Sequence, residues 1–186
     1  MMQLLFLMLS LFSFRPAIDV HGEELQGMVV SIADGDTFSL LTTNQQKVKI
    51  RLSGIDAPEK GQDYYRVSKD YLGSLLKGSG NSLRVVCSGK DKYGRFIGEV
   101  FTPQGVHINL ELVKAGLAWH FVKYSNDAEL AAAEEYARKN HLGLWHMADP
   151  QAPWDYRQMK KQHKFKISQD RIIKTQDFQL AAVNPG

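Results

Sequence analysis

A single cysteine, Cys87, occurs among the 186 residues, so no intramolecular disulfide can form. It ends the β-branched run Leu83-Arg84-Val85-Val86-Cys87, which offers no partner to activate a thiolate, and it reads as a small core residue. Paired histidines are also missing. His107, His120, His141, His146 and His163 are scattered, and none forms the i,i+4 pair with an intervening glutamate that zinc hydrolases use. That argues against a histidine-centred metal site and leaves His120, beside Trp119, as a pocket or core residue. Nor does the body of the chain carry a basic excess. Residues 23–154 hold 15 Lys and Arg against 16 Asp and Glu, while residues 155–186 hold 7 against 3, so the net charge of +3 comes from the tail.

Long apolar runs are confined to the first residues, Met1 to Phe14, which are too few for a comfortable membrane span and suit the apolar region of a secretory signal. Residues 1–22 are expected to be that signal, cut near Val20-His21-Gly22, although the first cation, Arg15, follows the run instead of preceding it. A retained anchor and a structural helix are the alternatives. No other segment is long and apolar enough to cross a bilayer. The expected product is an exported, periplasmic or secreted, soluble monomer with a domain over residues 23–150 and a basic extension over residues 151–186.

Within that domain, Met28–Ile32, Thr37–Thr42, Lys47–Leu52, Leu83–Ser88 and Arg95–Phe101 are short β-branched or apolar runs, which predicts five strands. Thr43 to Gln46 and Pro103-Gln104-Gly105 read as turns. Tyr64, Val67, Tyr71 and Leu75 recur at helical spacing up to a cap at Gly78, a shorter helix fits Asn109–Lys114, and a third starts from Asn126 as N-cap. In that third helix Glu134/Arg138 and Glu135/Lys139 mark a solvated face. Three strands, a helix, two strands and then helices is the α+β order of a five-stranded OB-fold β-barrel with about three helices. The extension, with Lys160-Lys161-Gln162-His163-Lys164-Phe165-Lys166, reads as a solvated tail that can add phosphate attraction, or as a short strand or packed segment built on Ile167, Ile172, Ile173, Phe178 and Leu180.

Chemistry concentrates in two acid-bearing segments, Asp34-Gly35-Asp36-Thr37 and Arg51-Leu52-Ser53-Gly54-Ile55-Asp56-Ala57-Pro58-Glu59. Asp36, Asp56 and Glu59 offer hard oxygen ligands and a base, and Arg51 can bind the oxyanion that such a metal activates. A phosphodiester fits that pairing of cation and anion sites. Asp34 is expected to bond its own turn backbone in preference to supporting the metal.

Four ordered motifs then carry a specific resemblance: Val30 to Thr37, Arg51 to Glu59, Asp91-Lys92-Tyr93-Gly94-Arg95, and Asn109 to Ala118. Together with a terminal helix closing at Gly143-Leu144-Trp145, they make the chain similar to the staphylococcal nuclease (thermonuclease) family. The resemblance implies Ca²⁺ held by Asp36, Asp56 and the carbonyl of Ala57, which stands where the family usually has Thr. It also implies Glu59 as general base or orienter of the attacking water, and Arg51 and Arg95 flanking the scissile phosphate. Lys92 and Tyr93 match positions that contact a terminal phosphate, and Tyr124 matches one of two base-pocket tyrosines, the other being replaced by Val122. The implied activity is hydrolysis of DNA and RNA, single-stranded or locally unpaired, with little sequence specificity and 3′-phosphate products. A noncatalytic nucleic-acid-binding OB module is the alternative, and the intact acid and arginine set argues against it.

Overall fold

Alternation along the short apolar runs sets the architecture. The computed structural model describes the backbone of residues 23–77 and 82–183 and the side chains of those up to residue 172. The expected signal segment and the expected cap at Gly78 lie outside them. Strands β1 (Glu24–Ile32), β2 (Thr37–Thr42), β3 (Lys47–Leu52), β5 (Leu83–Lys90) and β6 (Phe96–Phe101) close into one barrel in the order β1-β2-β3-β6-β5. All pairings are antiparallel except β3 with β6, where Ile50, Arg51 and Leu52 align with Phe96, Ile97 and Gly98. This is the expected α+β, five-stranded barrel.

Every second residue of β6 is buried, and the inward set Phe38, Leu40, Ile50, Leu52, Val85 and Val100 fills the barrel. Burying each such side chain contributes roughly 1.5–3 kcal/mol. Cys87 belongs to this core, and burial pushes its thiol up to about 11, as its place in a β-branched run requires. Both expected turns form: Thr42 N–H donates to Gln46 O at 2.9 Å, and Thr102 N–H donates to Val106 O at 3.0 Å around Gly105, whose φ is +83°.

Two elements escape the sequence pattern because they are only two residues long. Strand β4 (Ile55–Asp56) pairs with β7 (Trp119–His120), aligning Asp56 with Trp119. Helices α1 (Tyr65–Lys77), α2 (Ile108–Lys114) and α3 (Ala128–Lys139) cover the barrel. The N-cap of α3 is Asp127, not Asn126: its carboxylate accepts from Glu129 N at 2.7 Å and Leu130 N at 3.2 Å. Its Glu134 does more than face solvent, since it accepts from His120 N at 2.6 Å while its partner Arg138 lies 3.6 Å from the centre of the Trp145 ring.

The expected short strand or packed segment does not form on Ile167 and Ile172, which are exposed; the extension, solvated over much of its length, is the helix α4 (Pro153–Val183), begun by a proline at a position that tolerates the missing N–H. Ala152 and Pro153 are buried and Trp154 is half-buried, whereas residues 158–172 are exposed. The first turn of α4 therefore docks on the domain and the rest extends from it.

Candidate active site

Asp36 sits in the β1–β2 turn, which closes through Ala33 N to Thr37 O at 2.9 Å. Asp34 Oδ1 accepts from Asp36 N at 3.2 Å, the turn-capping role expected of it. The turn lies so close to α1 that a Cβ on Gly35 would meet Ser68 Oγ at 2.3 Å and Ala57 Cβ at 2.8 Å, so only glycine fits. Asp36 is thereby turned inward, where Ala57 N donates to its Oδ2 at 2.7 Å and Thr37 Oγ1 to its Oδ1 at 3.1 Å. Those bonds join two segments that are remote in sequence and place the Ala57 peptide beside the Asp36 carboxylate.

Asp56 arrives on β4, one strand-turn after Arg51. Asn109, fully buried at the start of α2, holds that turn by donating to Ser53 O at 2.9 Å and accepting from Val100 N at 3.1 Å. Arg51 then bridges the acids: Nη1 pairs with Asp36 Oδ2, and Nη2 donates to Asp56 Oδ1 at 2.7 Å. Arg95, at the end of the β5–β6 turn, donates through Nε to Asp91 Oδ2 at 2.7 Å and through Nη1 to Thr37 Oγ1 at 3.2 Å. Thr37 thus relays the second arginine to Asp36.

Electrostatics separate these acids. Asp36 is 6% exposed and Asp56 1%, which would disfavour both charges in the absence of cations. Burial works against ionising Asp36, yet Arg51 and the Ala57 N–H hold its carboxyl below the ordinary value. Asp56 is pushed up by burial against the opposing pull of Arg157 and Arg51. Asp34 is pushed up to about 6 by burial and by the charge of Asp36, so of this close pair Asp34 takes up a proton first as the pH falls. Glu59 differs in kind, for its side chain is 40% exposed and borders water.

No cluster of three or more His, Cys, Asp or Glu side chains suited to a metal occurs among the described residues. Asp36 and Asp56 with neighbouring backbone carbonyls could offer a cation only hard oxygen, a chemistry that fits Ca²⁺ better than Zn²⁺. Arg51 and Arg157 together use three of roughly four lone-pair directions on Asp56, so one remains for a monodentate ligand bond.

Comparison with known proteins places the chain in a family. A model described as staphylococcal nuclease homologue matches residues 49–147. The chain belongs to the staphylococcal nuclease family. An uncharacterized endonuclease of Escherichia coli O157:H7 is 40% identical over 156 residues, 83% of this chain and 96% of that protein. A micrococcal nuclease of Shigella flexneri is 35% identical over 148 residues, 74% of this chain and 83% of that protein. An uncharacterized endonuclease of Haemophilus influenzae is 40% identical over 133 residues, 72% of this chain and 73% of that protein. Asp36 precedes the segment that matches the staphylococcal nuclease model, yet the chain folds it back onto Ala57.

The remaining sequence candidates stand on separate loops. Lys92 and Tyr93 occupy the β5–β6 turn, with Tyr93 73% exposed and Lys92 Nζ 5.1 Å from the centre of its ring. Tyr124, on the loop after β7, packs edge-on against Phe121 at 4.8 Å, while Val122 beside it is exposed. His120 is buried, with Nε2 3.3 Å from Ser125 Oγ, and joins neither acid. Two residues that the sequence does not single out stand out in the fold. Along the chain Asn109 is only a helix start, and Arg157 is one of several tail cations. A signal for Arg157 does exist, since Pro153-Trp154-Asp155-Tyr156 sets aromatic residues within a polar stretch, as a docked turn would.

Proposed function

We propose that this chain is an exported, Ca²⁺-dependent nuclease that hydrolyses phosphodiester bonds of DNA and RNA with little sequence specificity and leaves 3′-phosphate ends. The observation that supports it is the buried Asp36/Asp56 pair, bridged by Arg51 and linked to Arg95 through Thr37. Buried acids of this kind hold a cation, and arginines beside them hold a polyanion. The relatives named as endonucleases and as micrococcal nuclease point the same way.

Asp36, Asp56 and the Ala57 carbonyl would hold the ion, which when bound supplies charge stabilisation at the phosphoryl oxygens and at the attacking water. The chain's own groups do the rest. Glu59, the one open acid of the set, accepts a hydrogen bond from the attacking water and orients it, and takes its proton as that water attacks phosphorus. Arg51 and Arg95 exchange part of their carboxylate contacts for the equatorial oxygens as phosphorus becomes five-coordinate, and their planar donors suit charge that grows there. Arg95, the more open of the two, donates a hydrogen bond to the departing 5′ oxygen, which takes its proton from water as it leaves. The exposed rings of Tyr93 and Tyr124 are available to stack on unpaired bases, with Lys92 beside a terminal phosphate.

The test is cleavage of end-labelled single-stranded DNA and RNA by the protein with Ca²⁺ or with a chelator. Cleavage that stops on chelation and yields 3′-phosphate ends is expected. Activity that survives the chelator sinks the metal assignment, and tight binding without cleavage favours the noncatalytic module.

A further inference from the structure

The C-terminal helix reaches the acids directly. Arg157, in the second turn of α4, donates Nη2 to Asp56 Oδ2 at 2.6 Å and Nη1 to Asp56 Oδ1 at 3.2 Å, and the same Nη1 donates to Glu59 Oε1 at 2.7 Å. One guanidinium thus spans the innermost acid of the site and its most open one. A planar fork matches two carboxylates in this way, and an ammonium cannot.

This contact is not a long side chain resting on a surface. Three separate interactions fix the helix start that delivers it. The Trp154 ring stacks on Phe121 at 5.0 Å with 4° between planes, and meets Trp119 edge-on at 5.5 Å. Tyr156 closes over Gly61, where a Cβ would meet its hydroxyl at 2.5 Å. Gln62 donates Nε2 to Gln151 O at 2.9 Å while its Oε1 accepts from Glu59 N at 2.8 Å. Glu59 is therefore tied to this end of the chain twice, through its backbone by Gln62 and through its carboxylate by Arg157.

Charge balance gives the contact a purpose. Arg51 pairs with Asp36 and Asp56 but not with Glu59, the third of these acids. A second cation lowers the cost of holding them together in a partly buried site. It also engages Oε1 of Glu59, whose side chain is 40% exposed.

We propose that Arg157 is a positioning residue of the active site, holding Asp56 and Glu59 in register, and that the start of α4 is part of the catalytic unit although it lies beyond the segment matching the family model. The inference rests on the nuclease reading above for its effect on turnover, but not for its effect on the carboxylates. Two measurements on the full chain test it. In carbodiimide labelling read by mass spectrometry, Arg157→Ala should raise modification of Glu59 severalfold and leave exposed Glu135 unchanged. In cleavage of single-stranded DNA with Ca²⁺, Arg157→Ala should lower kcat about 100-fold, the scale of a misplaced reacting group, with KM within about threefold. Arg157→Lys should recover about a tenth of the parent rate, since it restores one donor and not the fork. In a Glu59→Gln background the added cost of Arg157→Ala should shrink below about threefold, as expected of residues acting through one another. Equal Glu59 labelling in parent and Arg157→Ala, or full additivity of the two substitutions, overturns the inference. A parent that cleaves nothing in any divalent cation overturns the nuclease reading and the catalytic role of Arg157 with it, while labelling still decides whether Arg157 holds Glu59.

Discussion

Asp34→Asn should stabilise the cation-free protein near neutral pH and leave it unchanged in acid. The Asp34 carboxyl is partly buried beside ionised Asp36, and its pKa is pushed up to about 6 from an ordinary 3.8. A group raised in the folded state binds its proton more tightly there than in the unfolded chain. Stability then falls as pH rises from about 4 to about 6 and stays low above that, the reverse of a salt-bridged carboxylate. The displacement corresponds to about 3 kcal/mol, and solvent at this half-open turn reduces it to about 1.5 kcal/mol or a little more. Asparagine keeps a carbonyl to accept from Asp36 N and removes the charge. For a domain of this size each kcal/mol moves the melting midpoint by about 2–4 °C, so the variant should melt about 3–8 °C higher at pH 7.5 in chelator. At pH 3.5 the two proteins should coincide. A variant that melts lower at pH 7.5, or a gain that persists unchanged at pH 3.5, would refute the electrostatic account of this turn.

Further outcomes concern the site and its approach. Glu59→Ala and Arg95→Ala should each lower kcat by about 100- to 1,000-fold, the range for losing a preorganised donor or base, and turnover within about threefold of the parent would contradict their roles. Gly35→Ala should destabilise the fold by about 1–3 kcal/mol, because the new methyl collides with Ser68 and the turn must move off α1; chemical denaturation that shows no loss would mean that the turn shifts freely. Replacing Lys160, Lys161, Lys164 and Lys166 on the exposed part of α4 with Gln should weaken binding to single-stranded DNA alike for all sequences, and should flatten the log-log salt dependence by about 0.7 for each phosphate that the helix no longer neutralises. An unchanged slope would show that α4 contributes nothing beyond its first turns.

Strand positions are legible because their signal is local. Alternation in Phe96–Phe101 and the Gly-containing turn at Gly105 survive in any context, so all five barrel strands and both turns form, although β1 starts at Glu24 instead of Met28 and β5 runs on to Lys90. Caps are less legible: Asp127 and Asn126 are both good N-cap residues, and only the path of the chain after Ser125 selects Asp127. The pairing of β4 with β7 has no local signal, since two residues carry no period. The tail cannot be read from composition because a polar, cationic stretch is compatible with both solvated coil and helix, and the docking of Trp154 on Phe121 and Trp119 decides the matter through partners remote in sequence.

The identity of the acids and arginines is a property of the sequence, because ligand chemistry follows from side-chain type and the motifs keep their order whatever the packing. Their environment is not. Burial encloses the Asp36 and Asp56 carboxyls beside arginines and leaves Glu59 open to water, and that difference exists only once the β1–β2 turn folds onto Ala57 and β4 pairs with β7. Arg157 shows the same limit most clearly. Along the chain it is one cation in a basic tail, and it becomes a partner of Asp56 and Glu59 because an aromatic stack sets the helix that carries it. Sequence assigns charge and hydrogen-bonding capacity; which charges meet, and at what dielectric cost, is settled by distances that only the tertiary fold creates.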